Sequence, residues 1–300
     1  MRMELKDLPL EGIELHSNGS FSAMALCDYK TGMETFTFIE DARYLHFISD
    51  NPDITCVMCT NALIEMIPAS ITGMCVSDTP KTDFFMLHNR LCNVDEYKRD
   101  SFKTKIGENC TISPMAHIDS ENVIIGNNVR IEEFVSIKAR SQIGDNVTLR
   151  SGSVIGCDGY EFKPRFDDMF YVEHAGGVII GNYVDIYSNT CICKALFPWD
   201  DTIIGEYTKI DNLVHIAHAC KIGKRNFIVA SVVVCGAAET SDDVYIGPNA
   251  TIAKIHMSEN SKASLGSVVT KNVAANMTVS GNFAIEHSRM INHIKKISRG

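Results

Sequence analysis

From residue 106 onward, aliphatic residues return at every sixth position. Ile106, Ile112 and Ile118 open the series, and after one extra residue it continues through Ile125, Ile131, Ile137, Ile143, Leu149 and Ile155. It resumes at Ile180, Ile186 and Ile192, then runs from Ile204 through Ile210, Ile216, Ile222, Ile228 and Val234, with Ile246 and Ile252 in phase. An amphipathic helix would repeat near every 3.6 residues and a half-buried hairpin every two, so neither gives this pattern. A period of six predicts one short strand and one corner per hexapeptide, with three hexapeptides closing a triangular coil. The aliphatic residue turns inward and stacks on its counterparts above and below. The predicted fold class is therefore mainly β: a left-handed parallel β-helix of hexapeptide repeats. It should have roughly eight coils of about 18 residues, stacked about 4.8 Å apart. Glycine often follows the aliphatic residue, as at Gly126, Gly144, Gly205 and Gly223. Its conformational freedom is expected to relieve the corners.

Two stretches break the period. The first, CDGYEFKPRFDDMFYVEHAGG at 157–177, is polar and aromatic and is predicted to leave the prism as a loop. The second, KALFPWDD at 194–201, keeps the phase and so places Pro198 at a nominally inward position. Residues 1–103 lack the period and alternate strand-like with helix-like stretches, which predicts a small N-terminal α/β domain. The β-helix domain is expected over 104–273, and a C-terminal amphipathic helix within 274–300. There Met290, Ile291, Ile294 and Ile297 share one helical face, which predicts packing onto the solenoid.

Composition narrows the function. A net charge of −9 gives a nucleic-acid partner no global support. Eleven cysteines, an odd number, cannot all pair within the chain, which points to reduced thiols rather than a disulfide framework. The charged N-terminal stretch lacks the apolar core of a signal peptide and no run approaches membrane-spanning length. A cytoplasmic location with no integral membrane span is the expectation.

The order of N-terminal domain, prism and terminal helix resembles the UDP-3-O-acylglucosamine N-acyltransferase family of lipid A assembly. So do the stretches SGSVIGCDGYEF, DDTIIG, KIDNLVHIAHACKIG and GSVVTKNV, which occur in that sequence. The resemblance implies a homotrimer with sites in clefts between neighbouring prisms. The implied reaction is transfer of an acyl group from a thioester donor to the amino group of a nucleotide-linked amino sugar, for lipid A or another surface glycan. Acyl carrier protein is the implied donor, with a CoA thioester as the alternative. No permanently bound cofactor and no metal are expected. A basic excess near the C-terminus (Arg289, Lys295, Lys296, Arg299) offers an acidic carrier a docking patch, or complements the end of the terminal helix.

His215 and His218 flank inward Ile216 and so belong to outward parts of the coil. The resemblance selects His218 as general base, because an amine attacking a thioester must shed a proton and imidazole accepts one near pH 7. His215 is expected to be a polar surface or interface residue. Gly236 falls one coil above His218 in the same column, where its N–H could stabilise an oxyanion, and the family points the same way. Asp200 and Asp201 fall one coil below. Either could orient the imidazole, and Asp201 is the preferred candidate.

FTFIEDARY at 36–44 resembles the family's uridine-binding pattern, Phe-Leu-x-Asn-x-Lys-Tyr. Phe38 and Tyr44 take the two aromatic places and Arg43 keeps the cation. Asp41 replaces an Asn, so a donor to the base edge is lost and the identity of the base is open. The family's second active-site histidine has no clean counterpart, His256 being close but out of register. Ile192-Cys193-Lys194-Ala195 replaces the family's Ile-Asp-Arg-Gly. These departures suggest retained acyl-transfer chemistry on altered substrates. Competing readings are an acetyl-CoA-dependent sugar acetyltransferase of O-antigen or capsule synthesis and a non-catalytic sugar-binding solenoid. A zinc lyase similar to γ-class carbonic anhydrases would need a third histidine beside His215 and His218.

Overall fold

The computed structural model describes residues 2–297 apart from 166, 282, 283 and 285, so Arg299 of the basic segment lies outside the described residues. The chain divides into two compact units: residues 1–103 with 158–177 and 194–201, and residues 104–157 with 178–193 and 202–300.

The second unit is the parallel β-helix. Its three faces are parallel sheets of eight, eight and nine strands, most of them two residues long. Each strand pairs with its counterpart one coil away, as His215 with Val233 and Ile216 with Val234. On that face Ile137, Ile155, Ile192, Ile216, Val234 and Ile252 stack inward and are fully buried. Each such side chain contributes about 1.5–3 kcal/mol relative to exposure. No two-residue strand is stable alone, so the fold exists only because successive coils supply each other's hydrogen bonds. The last coils are one residue shorter, pairing Thr240 with Met257 and Ile252 with Val269. That deletion is why His256 slips in phase.

The glycines have a different cause from the one expected. The corners do take left-handed backbone, but with ordinary residues: Phe134, Tyr183, Leu213, Ala219 and Ala237 all have φ of 57–60°. A Cβ on Gly205 would instead lie 2.5 Å from the carbonyl carbon of Gly223, and one on Gly223 only 2.3 Å from the Ser241 carbonyl oxygen. Glycine is required there because coil lies on coil, not for its φ.

The first unit is built around a five-stranded sheet. Its strand order is Glu14–Ser17, Gly73–Val76, Ile54–Cys59, Thr35–Ile39 and Ala23–Met24, and the helix Pro80–Leu91 packs against it. Phe21, Phe36, Phe84 and Leu87 form its core together with Val172, Leu196 and Phe197 from the two inserted stretches. The first insertion folds as the antiparallel hairpin Phe162–Arg165 with Asp168–Tyr171.

Pro198 is therefore not an inward residue of the prism. Its segment belongs to the first unit, where Arg99 Nε donates to the Pro198 carbonyl and Trp199 Nε1 donates to the Met24 carbonyl at 2.8 Å. The phase survives because the excursion adds one full hexapeptide, pairing Ile192 with Ile216. The terminal helix spans His287–Ile297 and buries no side chain. Along its apolar face Met290 and Ile291 are half-buried, while Ile294 and Ile297 are exposed.

Candidate functional site

His218 stands in the corner that follows the strand His215–Ile216. The next residue, Ala219, is left-handed, and its N–H donates to Thr202 Oγ1 at 2.8 Å, which pins the corner to the neighbouring coil. On the other side the His218 carbonyl accepts from Ala237 N at 2.9 Å. These bonds hold the imidazole against Gly236. A Cβ built there would lie 2.6 Å from His218 Nε2 and 2.7 Å from Cε1, so only glycine accommodates the ring in this position. At equivalent corner places Ser188, Lys224 and Ala230 donate their N–H to Asn212, Asp242 and Asp211 side chains. Among the described residues no acceptor takes the Gly236 N–H. The structure thus brings together the sequence-derived pair His218 and Gly236, an imidazole beside an uncommitted amide.

The two aspartates are held within the first unit. Asp200 is buried and its Oδ1 accepts from Asp201 N at 2.8 Å. Asp201 Oδ1 accepts from Arg99 Nη1 at 2.8 Å, and Arg99 Nη2 donates to the Asp200 carbonyl at 2.7 Å. Arg99 carries no periodic signal, and nothing in the sequence joined it to these residues.

His215 faces a different environment. It pairs across strands with Cys191. Cys191 Sγ lies 3.0 Å from Cys157 Sγ, which is itself 3.7 Å from Cys193 Sγ. Neighbouring Cys157, Cys193 and His215 hold the Cys191 thiol well below the usual range. Bonding to Cys191 and burial push Cys157 up to about 12, and the same neighbours raise Cys193 further. The cluster thus favours one thiolate and resists a second. The sequence did carry a signal, since Cys191 and Cys193 alternate on one strand and share a face.

The remaining candidates are spread over separate settings. Phe38 is half-buried, its ring 5.1 Å from Phe84 and 5.8 Å from Phe85. Tyr44 is exposed and stacks on Phe47 at 6.4 Å. Asp41 caps the short helix Ala42–Tyr44, accepting from Arg43 N at 2.8 Å and pairing with its guanidinium at 3.0 Å. The Arg43 side chain and backbone N–H together hold the Asp41 carboxyl below its ordinary range. His256 Nε2 lies 3.1 Å from Ser241 Oγ and its Nδ1 3.5 Å from Glu239. No helix among the described residues is long and apolar enough to cross a membrane.

These features define a hexapeptide-repeat β-helix protein, and the bacterial transferase hexapeptide family (six repeats) matches residues 122–157 and 201–236. Within that class the chain is similar to UDP-3-O-acylglucosamine N-acyltransferases. It is 45% identical over 105 residues to enzyme 2 of Legionella pneumophila strain Philadelphia 1, covering 35% of this chain and 30% of that one. It is 33% identical over 153 residues to the Wolinella succinogenes enzyme, covering 50% and 48%. With the Helicobacter pylori enzyme it shares 28% over 263 residues, covering 78% and 75%. The chain thus spans about a third of the Legionella relative's length and about half of the Wolinella relative's. A solved Arabidopsis UDP-N-acetylglucosamine acyltransferase is 24% identical over 60% of this chain and 68% of that one, with a TM-score of 0.48.

Proposed function

We propose that this protein transfers an acyl group from a thioester donor to the amino group of a nucleotide-linked amino sugar in surface-glycan synthesis, the lipid A pathway included. The observation that carries the reading is His218 pressed against Gly236, whose N–H has no other acceptor among the described residues. The sugar amine attacks the thioester carbonyl, and His218 takes the proton it sheds. The carbonyl oxygen becomes an oxyanion and accepts from Gly236 N–H. Collapse breaks the carbon–sulfur bond, and the imidazolium returns its proton to the departing thiolate. Asp201, braced by Arg99, is the proposed orienting carboxylate.

Phe38 and Tyr44 are the proposed aromatic contacts of the nucleotide base. The Asp41–Arg43 pair replaces a neutral amide at its edge, which favours a base or sugar different from the relatives' own. The domain limits 1–103, 104–273 and 274–300, a cytoplasmic location and a homotrimer complete the reading. Exposed Phe227 and Val233 on the prism support a partner copy lying against it. Acyl carrier protein is the preferred donor, because Arg289, Lys295 and Lys296 give the terminal helix a local basic excess in a chain of net charge −9. The decisive experiment supplies UDP-amino sugars with acyl carrier protein or acyl-CoA and identifies products by mass. An N-acylated nucleotide sugar is expected, while intact thioester with every acceptor overturns the proposal. Exchanging Lys295 and Lys296 for Glu should raise KM for the carrier in a salt-sensitive way and leave a short CoA donor unchanged.

A further inference from the structure

The three cysteines beside His215 belong to no step of that reaction. Cys157, Cys191 and Cys193 bring their sulfur atoms within 4.8 Å of one another, the one such group of three found among the described residues. Cys193 is buried, and Cys157 and Cys191 are half-buried on the outer side of one prism face. We infer that Cys157, Cys191 and Cys193, with His215 as fourth ligand, form a binding site for a thiophilic d10 cation, Zn²⁺ in the first instance.

Backbone geometry makes the cluster. Along the strands Val154–Cys157 and Cys191–Cys193, Val154 pairs with Cys191 and Ile155 with Ile192, after which the register shifts so that Cys157 pairs with Cys193. The shift comes from Gly156, whose φ of 78° makes a bulge open to glycine. In regular register Gly156 would sit opposite Cys193, and Cys157 would fall one place beyond the cluster. The bulge re-aims one sulfur onto two others. The partner strand contributes His215 directly opposite Cys191.

The donor chemistry fits. Four-coordinate zinc with bonds of about 2.3 Å to sulfur spaces its sulfur ligands about 3.8 Å apart. The 3.7 Å between Cys157 and Cys193 already matches, and the 3.0 Å between Cys157 and Cys191 needs only a side-chain rotation to open. A disulfide would use two of the sulfurs and leave a third thiol and an imidazole without a role. Three thiolates and an imidazole satisfy a tetrahedral cation and leave no open position, so the site is structural and not hydrolytic. Loading would fix the strand that leads into the His218 corner.

The test uses the full chain, fully reduced and stripped with a chelator. Titration with Co²⁺ should give a thiolate-to-cobalt charge-transfer band that saturates at one equivalent and is displaced by Zn²⁺. Zn²⁺ should also shield Cys157, Cys191 and Cys193 together from alkylation, mapped by mass spectrometry on the unmutated protein. Cys193→Ala should weaken binding by more than the ~10–100-fold lost with a mere supporting group. Cys110→Ala should change nothing, and His215→Ala should weaken binding while keeping the sulfur band. Absence of the band in reduced protein overturns the assignment. So does a band that survives Cys193→Ala, or a Cys157–Cys191 disulfide in protein that takes no cobalt once reduced.

Discussion

The two units are held together by different logic. In the β-helix a residue's surroundings follow from its place in the hexapeptide: Ile192, Ile216, Val234 and Ile252 occupy one inward column because each stands at the same phase. Each coil touches only its neighbours, so stability adds coil by coil. In the first unit, surroundings are set by chain brought from far away. His88 is fully buried, its Nδ1 2.8 Å from the Tyr97 hydroxyl and its Nε2 2.9 Å from the Glu173 carbonyl, a residue of the first insertion. A neutral ring satisfies both, Nε2–H donating to the carbonyl and Nδ1 accepting from the hydroxyl. The difference teaches that a repeat can carry chemistry on one exchangeable corner, whereas an irregular core ties its polar groups to several segments at once.

The sharpest test of the exchangeable corner is His218→Ala. Turnover should fall ~10²–10⁴-fold with the fold intact, while His215→Ala costs much less turnover. Equal losses at both positions would mean that the corner does not separate their roles. Next come the cores. Phe84→Ala should cost about 3–5 kcal/mol and loosen the whole first unit, whereas Ile186→Ala should cost about 2–5 kcal/mol felt mainly in adjacent coils. Hydrogen exchange resolved by segment distinguishes these patterns, and a prism that opens globally at Ile186→Ala breaks the comparison.

A smaller effect follows from His88. Burial pushes its imidazole down to about 4. Folding favours the neutral ring, so its contribution is complete above the unfolded value of about 6.5. It is lost as pH falls toward 4, when the unfolded chain takes up a proton that the folded one refuses. The first unit should lose on the order of 3 kcal/mol across that window. His88→Gln should flatten the dependence, and an unchanged slope would locate the acid sensitivity elsewhere. The smallest effect lies at Leu213, exposed and left-handed at φ 60°. Leu213→Asn should stabilise the prism by up to about 1 kcal/mol, measured as a rise in Tm.

Much of this was legible in the residues. The spacing of isoleucines locates the inward columns, and a count of one coil from His218 reaches Gly236. Both succeed because a coil has nearly constant length. The same counting assigned Pro198 inward, because an excursion of one hexapeptide is invisible to a phase. It also assigned the glycines to strained corners, because sequence shows which residue is small and not which backbone approaches it.

By itself the sequence determined the solenoid and the column of the proposed base, since side-chain volume recurring at a fixed period leaves one way to bury itself. Tertiary structure alone decided that Arg99 grips Asp201, that the terminal helix leaves Ile294 and Ile297 exposed, and that Cys157 meets Cys191 and Cys193 beside the strand of His215. The cysteines are separated by an insertion of arbitrary length, and a single bulge at Gly156 moves one of them by a full residue. Periodicity records what each residue is, whereas a bulge depends on how hydrogen bonds are shared between strands distant along the chain.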